Sequence, residues 1–103
     1  MSSELSVRIV TSAAIAIREA ADWWSANRPK APKAFIEELE SALQLIASRP
    51  MIGARARNPK LTGVRRVHLG RVHYYLYYRL TSEMDTVEVL ALWHTSRGKA
   101  PPL

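Results

Sequence analysis

Three histidines, His68, His73 and His94, stand among the arginines of the second half of the chain and raise the first question about chemistry. An imidazole titrates near neutrality, so beside cations it suits general acid–base work. Metal ligation fits poorly. The sequence has no HxxxH or HxH spacing, no cysteine, and few carboxylates close to the histidines. It also has no Ser/His/Asp order, P-loop, GxGxxG or paired catalytic carboxylates. No metal and no other cofactor is expected.

The segment Arg71 to Leu80 splits by parity. Val72, Tyr74, Leu76, Tyr78 and Leu80 share one face of a strand, and Arg71, His73, Tyr75, Tyr77 and Arg79 share the other. In the strand before it, Val64, Arg66 and His68 share a face, with Arg65, Val67 and Leu69 opposite. If Arg66 and His68 join the second set, the sheet presents a basic face bearing His and Tyr, suited to phosphates and bases. The plainer alternative is that tyrosines are good strand formers and arginines solvate an exposed face.

Several elements must position these groups. Leu5, Val7 and Ile9 alternate with polar residues and predict a half-buried strand, after which Thr11 or Ser12 can cap a helix. Ala13, Ile17, Ala20 and Trp24 form one helical stripe that ends at Asn27-Arg28-Pro29. Trp23 and Trp24 are about 100° apart around that helix, so one packs in the core and the other sits at its margin. Pro32 suits the first turn of a second helix, whose stripe is Phe35, Leu39, Ala42 or Leu43, and Ile46. Arg49-Pro50 stops it. Residues 51–63 read as an irregular loop, and Val64–Leu69, Arg71–Leu80 and Thr86–Trp93 as three strands, with Gly70 as a tight turn. The order β-α-α-β-β-β predicts an α+β fold: a helical hairpin packed on one face of a small, largely antiparallel sheet.

Length and composition are consistent with that. The 103 residues suit a single domain, 1–103, with residues 94–103 as an irregular tail. At 48% hydrophobic and 23% charged the chain has a core-forming composition, not a disordered one. The absence of cysteine excludes a disulfide scaffold. No stretch has the length of a signal peptide or membrane span, so a soluble cytoplasmic protein without a membrane partner is expected. The net charge of +6 is unevenly placed: residues 1–48 carry −1 and residues 49–103 carry +7. Such a basic half suggests an anionic partner.

Three segments, ADWWSANRPKAPKAFIEELESALQLIASRP, GVRRVHLGRVHYYLYYRL and VEVLALWHTSRG, resemble in that order the ParE/RelE superfamily of small bacterial toxins from type II toxin–antitoxin pairs. The resemblance implies two helices against a twisted antiparallel sheet and a cognate antitoxin that neutralises the toxin. ParE-like members poison DNA gyrase without bond-breaking chemistry. RelE-like members cut mRNA, generally on the ribosome, with basic, tyrosine or histidine residues on the open sheet face and at the C-terminal end. In a ribonuclease of this kind Arg66, His68, His94 and Arg97 would supply base, acid and phosphorane-stabilising cations. Tyr75 stands where such enzymes carry a basic residue early in the middle strand.

The NRPKAPKAF turn, the paired tryptophans and the LWHTSRG ending resemble ParE more than RelE. A gyrase inhibitor acting in growth inhibition and plasmid stabilisation is therefore expected, with a ribosome-dependent mRNA endonuclease or a non-toxic degenerate binding module as alternatives. Cations of the loop (Arg55, Arg57, Lys60), the strands (Arg71, Arg79) and the tail (Arg97, Lys99) are the target-binding candidates. An acidic, partly disordered antitoxin, ParD-like or other, would lay a helix along an apolar groove and add a strand at the sheet edge. Its expected contacts are Trp23, Trp24, Phe35 and Leu39.

Overall fold

A computed structural model describes residues 4–103. The elements are β1 (Ser6–Ile9), α1 (Thr11–Asn27), α2 (Ala34–Ser48), β2 (Ala54–Arg55), β3 (Arg65–Leu69), β4 (Tyr74–Leu80) and β5 (Thr86–His94). They form one sheet in the order β1-β5-β4-β3-β2. β1 runs parallel to β5, and every other pairing is antiparallel. The intervening helices supply the crossover that a parallel pair requires. The fold is α+β with both helices on one face, as the element order predicts, and it contains one strand more.

That extra strand lies inside the segment read as loop. Two residues, Ala54 and Arg55, pair with Arg66 and Arg65, which is too short a run to leave a period in the sequence. Tyr78 holds it. Its hydroxyl accepts from the Gly53 N–H (2.9 Å) and donates to the Pro50 carbonyl (2.8 Å). Gly53 is required for this approach, since a Cβ there would lie 2.6 Å from the Tyr78 oxygen.

β1 is an exposed edge strand, not a half-buried one. Val7 and Ile9 are each 36% exposed, β1 standing at the edge of the sheet. α1 begins without the hydroxyl cap expected from Thr11 or Ser12: Val10 is the N-cap and makes no side-chain bond. Its N–H is already tied to Val89 and its carbonyl accepts from Ala14, so the chain passes straight from sheet into helix. α2 likewise starts after Pro32, at Ala34. The intervening residues close two turns, Ala31 N–H to Arg28 O and Ala34 N–H to Ala31 O.

The helical stripes pack as read. Ala13, Ala20, Phe35, Leu39, Ala42 and Ile46 join Leu69, Leu76, Tyr78, Val87 and Val89 in the main core, with Ile17 and Trp24 against it. Parity within β4 also holds, but the strand starts at Tyr74. Arg71 and His73, read as strand residues, lie in the turn from Gly70 to His73. His73 takes a positive φ of 65° there, which a strand cannot accommodate.

β5 carries a bulge. Tyr77 pairs with Ala91 and Tyr78 with Val89, so Leu90 is the extra residue. Leu90 and Ala91 both pack with Tyr77 and Val64 on the face away from the helices. This second cluster is covered by Ala56 and Leu61 of the loop and Leu103 of the tail. The sheet's second face is therefore not open throughout, and Tyr77, expected on show, is only 4% exposed.

Candidate functional site

The second face is assembled from alternate residues of β3, β4 and β5. Register brings Arg66 opposite Tyr77 and His68 opposite Tyr75. The Arg66 guanidinium lies 4.0 Å over the Tyr75 ring, and one of its nitrogens is 3.2 Å from the Tyr77 hydroxyl. The His68 ring is 5.1 Å from that of Tyr75. Across the next strand pair Trp93 stands opposite Tyr75, with Arg97 stacked 4.0 Å over its indole. The tail turns back here, and the Trp93 indole N–H donates to the Lys99 carbonyl at 2.7 Å. Arg66, His68 and Arg97 thus gather on neighbouring rings.

His94 does not join them. It pairs with Tyr74, whose face is that of the helices, and its ring meets Tyr74 edge-on at 5.1 Å. One residue of parity separates it from Trp93, so the four residues named for a ribonuclease are divided between two sides of the sheet.

Arg79 is on the second face but engaged. Its Nε donates to Glu88 Oε1 at 3.0 Å, while Arg8 of β1 bonds the other carboxylate oxygen. The Arg8 hydrogen bond, with that of Arg79, holds the Glu88 carboxyl below the usual range despite the opposing effect of burial. This triad ties β1 and β4 to β5.

Arg55, Arg57 and Lys60 are exposed on the loop that contains β2. The Asn58 side chain shapes it by accepting the N–H groups of Lys60 (2.8 Å) and Leu61 (2.9 Å). Between this loop and the β4–β5 turn runs a groove of about 920 Å³. Arg55, Arg57 and Arg65 line it, no carboxylate does, and the exposed Met51 and Met84 supply apolar rims. The methionines were not singled out from the sequence. Met84 had only its position in a turn as a signal, and it adopts a positive φ of 59°.

A second cleft, of about 590 Å³, opens where α1 meets the end of the sheet. Trp23, Trp24, Arg71, His73 and His94 reach it from separate elements, together with Arg28, which sequence reasoning passed over as a helix terminator. Trp23 is 48% exposed and Trp24 packs against the core, as the helical spacing predicts. Phe35 and Leu39 are core residues at 0% and 5% exposure and offer no surface to a partner. Their stripe was read correctly, but it faces the sheet. Among the described residues no group of three or more His, Cys, Asp or Glu is placed to hold a metal, and no helix is long and apolar enough to cross a membrane.

The profile of the ParE toxins of the parDE type II toxin–antitoxin system matches residues 7–98. The chain belongs to the ParE toxin family. Solved structures agree on the fold. The chromosomal ParDE system of P. aeruginosa matches with a TM-score of 0.70 at 17% identity, over 92% of this chain and 100% of that one. The RelBE2 toxin–antitoxin complex of Mycobacterium tuberculosis matches with a TM-score of 0.62 at 24% identity, over 88% and 98%. A free-state double arginine-to-alanine mutant of E. coli RelE also scores 0.62, at 16% identity, over 90% and 85%. No curated protein matches the chain in sequence. This ParE-family chain thus shares its architecture with solved toxins of both the ParE and RelE kinds.

Proposed function

We propose that this protein is a gyrase-directed toxin of the ParE kind, acting in the cytoplasm without bond-breaking chemistry and neutralised by a cognate antitoxin. The division of Arg66, His68 and Arg97 from His94 is the observation that carries the reading. Cleavage by 2′-hydroxyl attack needs a base and an acid flanking one phosphate. Here a single imidazole is left on the second face. The basic, carboxylate-free groove beside β2 offers a surface for a protein or DNA target instead. An acidic antitoxin segment is complementary to the same half of the molecule, and the solved ParDE and RelBE relatives include toxin–antitoxin complexes. Growth arrest and plasmid stabilisation would follow from gyrase poisoning and its relief.

One observation favours the second reading, an mRNA endonuclease: the Arg66, His68, Tyr75 and Arg97 cluster has stacking rings beside cations. Plasmid supercoiling by purified gyrase, with the protein titrated in, separates the two. Inhibition with trapped cleaved DNA, reversed by the antitoxin, is the expected result. Growth arrest without any effect on gyrase, abolished in Arg66→Ala, would assign the toxin to mRNA.

A further inference from the structure

The cleft at the end of the sheet collects aromatic and cationic side chains from separate elements. The Trp24 indole is fixed by its N–H bond to the Ala31 carbonyl at 2.9 Å. Trp23 meets it edge-on at 6.1 Å and leaves about half its surface to solvent. The Arg28 guanidinium lies 5.1 Å from one indole and 5.6 Å from the other, so rings and cation form a continuous stacking wall. Arg71, His73 and His94 line the same cleft.

The polar groups are ready to bind an anion. Arg71 has only a loose partner, Glu37 at 3.7 Å, and both side chains are more than half exposed (57% and 63%). Such a pair exchanges readily for a stronger anion. His94 accepts the Ser96 backbone N–H at its Nδ1, at 3.1 Å, and contacts the Ser96 hydroxyl with the same nitrogen at 2.7 Å. A backbone N–H can only donate, so in the neutral ring the proton belongs to Nε2, which is left as a donor. His73 is held at its positive φ from both sides, its N–H bonded to Leu69 O and its carbonyl to Thr95 N–H, each at 2.9 Å.

We propose that this cleft binds a nucleoside 5′-phosphate, free or at the end of a single strand, with the base against Trp23 and Arg28 and the phosphate held by Arg71 and His94 Nε2–H. The volume suits one nucleotide. Stacking supplies tolerance among bases, and the arginines supply charge-assisted bonds to phosphate. The site lies on the helix side of the sheet, away from Arg66 and His68, and its occupation is independent of what the toxin attacks.

The test is titration of the full-length protein with 5′-AMP, followed by the three tryptophan indole N–H resonances in ¹H–¹⁵N NMR spectra. Saturable shifts of Trp23 and Trp24 below about 1 mM AMP are expected, with Trp93, on the other face, unmoved. Arg71→Ala and Trp23→Ala should each weaken binding at least tenfold, and adenosine or inorganic phosphate alone should bind at least tenfold more weakly than AMP. A 5′-phosphorylated single-stranded hexanucleotide binding more tightly than AMP would identify the ligand as a strand end, and the reverse order as a free nucleotide. The proposal is overturned if neither ligand moves Trp23 or Trp24, if only Trp93 responds, or if inorganic phosphate binds as tightly as AMP. Folded spectra of each variant keep a binding loss distinct from unfolding.

Discussion

At the scale of single residues, the structure rests on two polar devices set in otherwise apolar surroundings. Glu88 is the buried carboxylate shared by Arg8 and Arg79. Its acid is strengthened in the folded state, so its stabilisation is present above the ordinary carboxylate pKa and is lost as pH falls through the folded-state value. Glu88→Gln should therefore destabilise the protein by about 1–3 kcal/mol at pH 7, and the gap to the wild type should close in acid. Urea unfolding of both proteins at pH 7 and pH 3 measures it; an equal gap at both values would mean that the carboxylate's charge is irrelevant. Tyr78 is the second device. Burial raises its phenol pKa, against the Gly53 N–H and Arg65, which lower it. Tyr78→Phe leaves the Gly53 N–H and the Pro50 carbonyl without this partner, at a cost of about 1–3 kcal/mol. Hydrogen exchange should then quicken across 50–55 before it does in β4.

Among the elements, the tail contributes more than its irregular sequence implies. Trp93 bonds Lys99, Pro101 is buried, and Leu103 packs beside the cluster of Val64, Tyr77 and Leu90. Deleting residues 99–103 should expose that cluster and lower the midpoint of thermal unfolding by roughly 5 °C, the equivalent of about 1 kcal/mol in a chain of this size. An unchanged midpoint would show that the tail only rests on the sheet. Such contacts explain what was legible beforehand. The two helices announce themselves because their stripes repeat every 3.6 residues over several turns, and β4 because its parity survives intact. β2 is two residues long, and the Leu90 bulge is one residue; neither leaves a period. The turn 70–73 was misread because Arg71 and His73 continue the parity of β4 although the backbone has already left it. The resemblance to RelE-like ribonucleases groups His94 with His68, whereas the pleat puts them on opposite faces. Arg28 leaves no signal of its own, because beside Pro29 it reads as the end of a helix.

For the whole molecule, the asymmetry of charge is the property most open to test. The acidic excess of residues 1–48 and the basic excess of residues 49–103 become, in three dimensions, a helical layer with Glu37 and Glu40 outward and a sheet flank carrying Arg55, Arg57 and Lys60. These three loop cations are exposed, and Arg55 and Arg57 line the groove that no carboxylate lines. Replacing exposed side chains of this kind changes folding stability by no more than about 0.5 kcal/mol each. Their effect should instead be on encounter with a charged partner, which is governed by the field over the surface. Arg55→Gln, Arg57→Gln and Lys60→Gln together reduce the net charge from +6 by three. The combined variant should melt within a few degrees of the wild type, while the concentration that half-inhibits gyrase supercoiling rises about tenfold or more, about 1.4 kcal/mol of binding. Inhibition by the variant should also depend less steeply on salt, because fewer charges are screened. If potency and salt dependence both stay at wild-type values, the β2 groove is not the surface that meets the target, and the Arg66 and Arg97 face becomes the place to substitute.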